Sequence, residues 1–543
     1  MSERDRHERN VGPSAAHADG TEDATEPLPA LAASFRNAFV LAIAAGVLAA
    51  CAVGPDFIRP APPTVKGYTP AATKPNLMAG ASEPSQRLVV AQAIPADWWQ
   101  LFHSAALDKV VREAIAGSAS LDAARATLAQ SREAVAEARG GYYPQVDFAA
   151  SAERQRGPAF ALGLLPSAQG LPVFNLYSLG PSVSYSPDVF GLTARHVEQQ
   201  EALAETQGYQ FAAAYLAITG NAVTQALIIA STRRQIETAR AIIDDDEKNL
   251  ALVRDKLSAG RTARNDVLTA ETQLANDRTL LPPLEQQRSA AEDALAILVG
   301  KSPAEWTAPK FDLANFALPP ELPVSLPSAL VRQRPDILAA EAQLHASSAA
   351  IGVATAQMYP NFPLSASIDT AALSATSLFG QSSLIWTLAA GLTAPIFHGG
   401  ALKAQKRGAV DAFHASLATY RQTVLQAFGQ VADTLRALGH DAQLLDEERY
   451  ALDAANGALE LQQSTYAAGR TDLLRLLDAE RSAQQARLGY ARAEVQRYLD
   501  SAALLVAMGG GWWEDPALCA DCSQQVGNPN ERSKLTVGAE VGK

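Results

Sequence analysis

The sequence repeats itself. Ala259-Gly260-Arg261-Thr262 returns as Ala468-Gly469-Arg470-Thr471, and Ala270-Glu271 as Ala479-Glu480, both 209 residues on (468 against 259, 479 against 270). Upstream, Tyr143-Pro144-Gln145-Val146 answers Tyr359-Pro360-Asn361-Phe362 at an offset of 216 (359 against 143), so the copies differ by a few inserted residues in between. Length alone, at 543 residues, would allow three or four domains; a duplication on this scale points instead to two similar halves, each half of one structure.

Each copy shows the same change of period. An Ala-rich stretch with aliphatic residues at helical spacing predicts one helix over about Leu107 to Arg139, stopped by Gly140-Gly141, and its counterpart over about Leu326 to Gln357. After each Tyr-Pro the period falls to two. Val146, Phe148 and Ala150 alternate with Gln145, Asp147 and Ala149, and Tyr177, Leu179 and Val183 with Ser178, Ser182 and Ser184. In the second copy Leu364, Ala366 and Ile368 alternate with Ser365, Ser367 and Asp369, and Leu384, Trp386 and Leu388 with Thr387 and Ala389. Four strands with one apolar and one small polar face suit a membrane barrel with lipid outside and water inside, or a half-buried soluble hairpin pair.

Helical patterns then run from about Thr193 to Leu257 and from Gly400 to Tyr466, long enough for rods of roughly 95 Å. At their ends Gly260 and Gly469 can take the left-handed conformation, and Thr262 and Thr471 can cap return helices over about Thr262 to Val299 and Thr471 to Met508. Pro282-Pro283 must break or bend the first of these.

The termini place the chain. The apolar run Ala38 to Ala50 is too short to span a bilayer and fits a signal-peptide core, although residues 1–35 are long and charged for one. It ends in Leu48-Ala49-Ala50-Cys51, which resembles a bacterial lipobox with Cys51 as the lipidated residue; Ala52 in place of Asp favours outer-membrane sorting. One acyl-chain anchor binds weakly, so a second anchor is expected. Cys519 and Cys522 can form a disulfide or remain a free pair, and cannot alone supply a structural zinc site. A net charge of −12 without a Lys/Arg block argues against nucleic acid as a partner. Gly300-Lys301-Ser302 lacks the earlier glycine of a phosphate loop (Leu295 stands there) and reads as a helix end. No catalytic constellation, cofactor motif or metal-binding tract occurs, so an enzyme is not expected.

Cys51-Ala52-Val53-Gly54-Pro55-Asp56, Trp98-Trp99, Arg334-Pro335-Asp336-Ile337, Ala340-Glu341, Tyr359-Pro360 and the two Ala-Gly-Arg-Thr elements, in this order, resemble the TolC-type outer-membrane efflux channels, in the lipoprotein branch labelled the NodT family. The resemblance implies a mainly α fold with a membrane β-barrel portion: a homotrimer with a 12-stranded barrel, four strands per chain, on a long α-helical barrel. It implies a passive outlet for drugs or other small molecules in a tripartite, RND-type pump of a Gram-negative bacterium, with a periplasmic adaptor and an inner-membrane pump as partners. Strand count agrees with a trimer, because four strands cannot close a barrel whereas three chains supply twelve. The chain divides into a signal peptide with polar leader (1–50), a lipidated N-terminal linker (51–105), a first repeat (106–300), an equatorial inter-repeat segment (301–325), a second repeat (326–508) and a C-terminal tail (509–543).

By the resemblance, the tips around Gly260-Arg261 and Gly469-Arg470 meet the adaptor, and tyrosine, arginine and aspartate contacts close the periplasmic mouth. Aligned on the tip glycines, Asp266 and Tyr466 match latch members and Asp478 a lumen-facing ring acid. Arg475 stands where the family's prototype has a second ring acid, and Thr471, beside Arg470, at the latch arginine position. Asp472, Arg475 and Asp478 at i, i+3 spacing are equally an ordinary solvated helix face. A protein-secretion outlet of the same fold is the related alternative, and a periplasmic coiled-coil adaptor lipoprotein, which needs no lipid-facing strands, the distant one.

Overall fold

The structure is a computed structural model that describes residues 52–65, 67–69, 86–156 and 173–514. The signal peptide, Cys51, Cys519 and Cys522 lie outside the described residues. The elements in chain order are β1 (Arg87–Val90), α1 (Ala105–Gly117), α2 (Ala119–Gly140), β2 (Gln145–Arg156), β3 (Val173–Tyr185), α3 (Leu192–Ser258), α4 (Arg264–Arg278), α5 (Leu281–Leu298), β4 (Glu321–Val324), α6 (Pro327–Leu330), α7 (Pro335–Ala356), β5 (Leu364–Ala372), β6 (Leu384–Ala390), α8 (Ala401–Ala467) and α9 (Leu473–Ala507).

The duplication is visible residue for residue. Helices α3 and α8 are each 67 residues long, about 100 Å at 1.5 Å per residue. Each starts after a left-handed glycine, Gly191 (φ 76°) or Gly400 (φ 85°), and ends at Gly260 (φ 68°) or Gly469 (φ 71°). The return limbs differ: α9 runs 35 residues without interruption, whereas α4 and α5 are separated at Thr279-Leu280. Pro282 and Pro283 occupy the first turn of α5, where a missing N–H leaves no bond unmade.

Three sequence expectations need correction. The single helix expected over Leu107 to Arg139 is two, α1 and α2, broken at Ser118 (φ −71°, ψ 112°). The cause is tertiary: a Cβ on Gly117 would overlap the Val299 carbonyl, and one on Gly300 the Gly117 carbonyl, so two backbones meet with no room for side chains. The counterpart over Leu326 to Gln357 is also divided, into α6 and α7. Pro335 opens α7, and Arg334 before it is held extended (φ −74°, ψ 126°). Finally, the return helices are capped one residue later than Thr262 and Thr471: Ala263 is the N-cap of α4 and Asp472 that of α9.

A belt surrounds the middle of the helices. β1 from the N-terminal linker pairs in parallel with β4 from the inter-repeat segment, Leu88 opposite Leu322. Trp98 and Trp99 lie in a short 3-10 helix (Trp98–Phe102), both fully buried with Phe102, Leu107, Leu227, Leu295, Phe311 and Leu504. Each such aromatic removes some 150–250 Å² from water, which makes this cluster the main apolar core. Gly509, Gly510 and Gly511, all at positive φ, fold the chain back so that Trp512 is also buried. Residues 509–512 are therefore buried with the core and Trp513 packs beside them, and the linker contributes a strand and a helical turn to the belt.

Candidate functional site

Two regions stand apart from the belt: a four-stranded sheet at one end of the long helices and the paired hairpin tips at the other. The sheet order is β2-β3-β5-β6, antiparallel throughout, so the hairpins of the two repeats join through β3 and β5. The register then decides the faces. Val146 pairs with Val183, Val183 with Ala366 and Ala366 with Leu388, while Asp147 pairs with Ser182, Ser182 with Ser367 and Ser367 with Thr387. Side chains alternate along a strand, so one face carries Val146, Phe148, Leu179, Val183, Ile368, Trp386 and Leu388, and the other carries Asp147, Ser182, Ser184, Ser365, Ser367 and Asp369.

Among the described residues nothing covers the apolar face: Phe148 is 69% exposed, Trp386 72% and Leu388 76%. The outer edges of β2 and β6 have no strand partner among the described residues. A large apolar patch and two open edges are unstable in water and require another environment.

Where strands pass into helices an aromatic cluster forms. Phe190 stacks on Tyr359, centroids 4.9 Å apart, and on Phe362 at 6.5 Å, while Tyr143, the tyrosine of the other Tyr-Pro, is exposed. The N-terminal segment is strapped here. Val53 N–H donates to the Phe190 carbonyl (3.2 Å), Ala52 packs on Gly191, Arg195 pairs with Asp56 (2.7 Å), and Phe57 stacks on His345 (4.5 Å).

At the opposite end both tips close in the same way. Gly260 N–H donates to the Leu257 carbonyl (2.9 Å) and Arg261 N–H to that of Lys256 (2.8 Å); Gly469 donates to Tyr466 (3.0 Å) and Arg470 to Thr465 (2.9 Å). This pair of bonds around a left-handed glycine satisfies carbonyls that the helix end would otherwise leave open. Gly300 and Lys301 repeat it at the end of α5, as expected of a helix end.

The four expected gate residues are not gathered into one contact. Asp266 is half-buried; its carboxylate accepts the Thr262 hydroxyl and the Ala263 N–H (3.2 Å). Tyr466 is buried among Leu250, Val253, Val267, Leu473 and Leu477. Arg475 and Asp478 are exposed and line one polar groove of about 590 Å³ between α4 and α9, with Asp472, Arg481 and Gln273. Asp472 accepts from Arg475 N–H (2.9 Å), so it serves first as a helix cap.

Sequence reading missed three features. Lys256, unmarked by any motif, places Nζ 3.4 Å from the centroid of the Tyr466 ring. Two acid pairs meet between helices, Asp246 with Asp277 and Asp441 with Asp500; burial first, and then the neighbouring carboxyl, push Asp246 and Asp441 up to about 8. Arg334, visible as a motif residue, is a buried hub joining α7, α8 and α9. The acids carried no signal, because partners 31 and 59 residues away (277 against 246, 500 against 441) share no local pattern.

Comparison with known proteins agrees with this architecture. The model of the family described as outer membrane efflux protein matches residues 110–301 and 326–510, one stretch in each repeat. The pyoverdine export outer membrane protein OpmQ of Pseudomonas aeruginosa is 31% identical over 425 residues, covering 77% of this chain and 88% of that protein. Nodulation protein T of Rhizobium leguminosarum bv. viciae is 26% identical over 504 residues, covering 92% and 97%. The solved structure of the outer-membrane channel OprN superposes with a TM-score of 0.76 at 28% identity, over 85% of this chain and all of that one (100%). Matched through both repeats, the chain belongs to the outer membrane efflux protein family: it is an outer-membrane component of an efflux system, a conduit for what that system exports.

Proposed function

We propose that three copies of this chain close their sheets edge to edge into one 12-stranded barrel and stack their long helices into a tunnel. The outlet so formed passively discharges small molecules delivered by a periplasmic adaptor and an inner-membrane pump. The observation that carries this reading is the sheet, whose apolar face is exposed and whose two edges are unpaired among the described residues. Lipid can cover the face, but only β2 of one copy against β6 of the next can satisfy the edges, since unpaired backbone groups are not tolerated in hydrocarbon.

In this reading Cys51 carries the lipid. Its neighbour Ala52 lies against Gly191 at the aromatic junction of strands and helices, the level at which a barrel meets the membrane surface. Gly260, Arg261, Gly469 and Arg470 form the face that meets the adaptor. Asp266, Tyr466, Arg475 and Asp478 narrow the periplasmic mouth, with Asp478 repeated three times about the axis as a negative ring favouring cations.

The test is mass and conductance together. Purified protein is expected to run as a trimer and, reconstituted in a planar bilayer, to give small currents that grow when Asp266 is replaced by Ala. A monomer that stays electrically silent in native and Asp266→Ala forms would end the proposal.

A further inference from the structure

We propose that Lys403, Lys406 and Arg407, in the first two turns of α8, bind the headgroup of an anionic phospholipid in the periplasmic leaflet of the outer membrane. This rests on the outlet reading. The three cations line a cavity of about 370 Å³ with Met358 and Val410, and Asp411 is the one acid of its lining. Lys403 and Arg407 are exposed and Lys406 is half-buried, and among the described residues none of the three makes an ion pair. Three cations against one acid leave the cavity positive, while Met358 and Val410 give it an apolar wall.

Its place in the fold points to lipid. Met358 precedes Tyr359, whose ring stacks on Phe190 where strands pass into helices (4.9 Å). The N-terminal segment marks the side of the helices on which the cavity lies. Phe57 stacks on His345 of α7 (4.5 Å), Arg59 pairs with Glu341, and Tyr68 meets Phe428 of α8 edge-on (5.7 Å). Val410 stands 18 residues before Phe428 (428 against 410), five turns at 3.6 residues per turn, so the two share a face of α8. Lys403 and Lys406 precede Val410 by seven and four residues and fall on that face too. A segment that begins at a lipid anchor runs outside the tunnel, so the cations on its side meet headgroups and not the lumen.

Local structure gives no reason for these charges. Lys403 lies in the first turn of α8, where the helix dipole disfavours a cation, and no acid stands in that turn to offset it. The duplication gives none either. At the 209-residue offset the three correspond to Ala194, Val197 and Glu198 (194 against 403, 197 against 406, 198 against 407). Glu198 is held by Arg195 (2.7 Å) and His345 (3.1 Å) beneath the N-terminal strap. Among the described residues the strap covers this place in the first repeat and not in the second, and the uncovered place is the basic one. Just before α8, Ile396 and Phe397 are exposed, apolar neighbours suited to the boundary between headgroups and acyl chains. The Arg407 fork can hold two phosphate oxygens at once, and the lysines add point charges. Each cation near an anionic lipid surface strengthens the attraction about fivefold, so three give roughly 100-fold, less as salt rises.

The test uses the full-length trimer purified in detergent. Phosphatidylglycerol or phosphatidylethanolamine is titrated in, bound lipid is counted by native mass spectrometry, and conductance is read in parallel. Phosphatidylglycerol is expected to bind roughly tenfold or more tightly than phosphatidylethanolamine, a preference that falls with added salt. Lys403→Gln, Lys406→Gln and Arg407→Gln combined are expected to abolish the preference with trimer and conductance intact. Lys248→Gln, Lys301→Gln and Arg436→Gln combined, which remove the same charge at exposed positions elsewhere, are expected to keep it. Equal binding of the two lipids, or an equal loss in the second triple variant, overturns the site. So does displacement of the lipid by inorganic phosphate at constant ionic strength, which marks a free-anion site, or loss of the trimer in the first triple variant, which sets the cations against the next copy. The same preference, lost in the first triple variant, in a monomer that stays electrically silent would keep the headgroup site and refute the outlet.

Discussion

Arg334 shows how much one side chain holds. Its side chain is 10% exposed; Nη1 donates to the Ala507 carbonyl (3.0 Å), Nε and Nη2 to the Asp336 carboxylate (3.0 and 2.7 Å), and Nη2 also to Gln430 Oε1 (2.9 Å). A planar fork reaches three helices at once, and a lysine ammonium cannot span them. Arg334→Ala is expected to cost about 1–3 kcal/mol, because the last carbonyl of α9 loses its partner out of water while Asp336 stays partly solvated. Arg334→Lys should recover little of it. Thermal unfolding followed by circular dichroism checks this; an Arg334→Ala variant melting with the native protein would refute the hub. At this scale Gly260 and Gly469 were legible in the sequence, because a left-handed turn at a helix end selects glycine. The caps were legible only to within one residue, since the Thr262 hydroxyl is drawn to Asp266 and Asp472 reaches the N–H of Arg475 before Thr471 can.

Between elements, the acid pairs make the helical region sensitive to pH. Asp246, on α3, accepts from Gln484 of α9 (3.2 Å), and Glu480 of α9, also raised by burial, is held by Asn249. Asp246 and Asp441 bind a proton more tightly in the folded chain, at about 8, than at their ordinary 3.8. The stability tied to these protons is full below about pH 4 and is lost as pH rises through about 8. The protein is therefore expected to unfold at a lower temperature at pH 8.5 than at pH 6. Asp246→Asn should flatten that dependence and stabilise the protein at pH 8.5 by more than about 1 kcal/mol, the worth of one pKa unit. Equal slopes for native and variant proteins would show that the pair does not carry the effect. Helix lengths and the break before Pro282 were legible from periodicity and proline. The break at Ser118 was not, because it arises where Gly117 meets Gly300 across the fold.

For the whole molecule the sheet makes the sharpest demand. Trp386 lies on the apolar face and its neighbour Thr387 on the polar one. In a barrel with lipid outside, Trp386→Arg is expected to cost about 2–4 kcal/mol and to deplete the heat-resistant trimer on gels, whereas Thr387→Arg leaves the trimer intact and shifts ion selectivity toward anions. Equal tolerance of both substitutions would mean that neither face meets lipid. The alternation that distinguishes these residues was plain in the sequence; that the two hairpins meet through β3 and β5 was not.

The sequence by itself determined what depends on near neighbours: the doubling of the chain, the change of period from helix to strand, the glycine-ended tips and the two-faced character of each strand. Only the tertiary structure decided what depends on residues far apart in the chain. It joined β3 to β5, paired β1 with β4, divided the helix at Ser118, brought buried carboxyls together and laid Lys256 over Tyr466. Periodicity records which way each side chain faces along its own element. Which distant group it then meets is set by backbone packing and register, and these leave no trace in any short stretch of sequence.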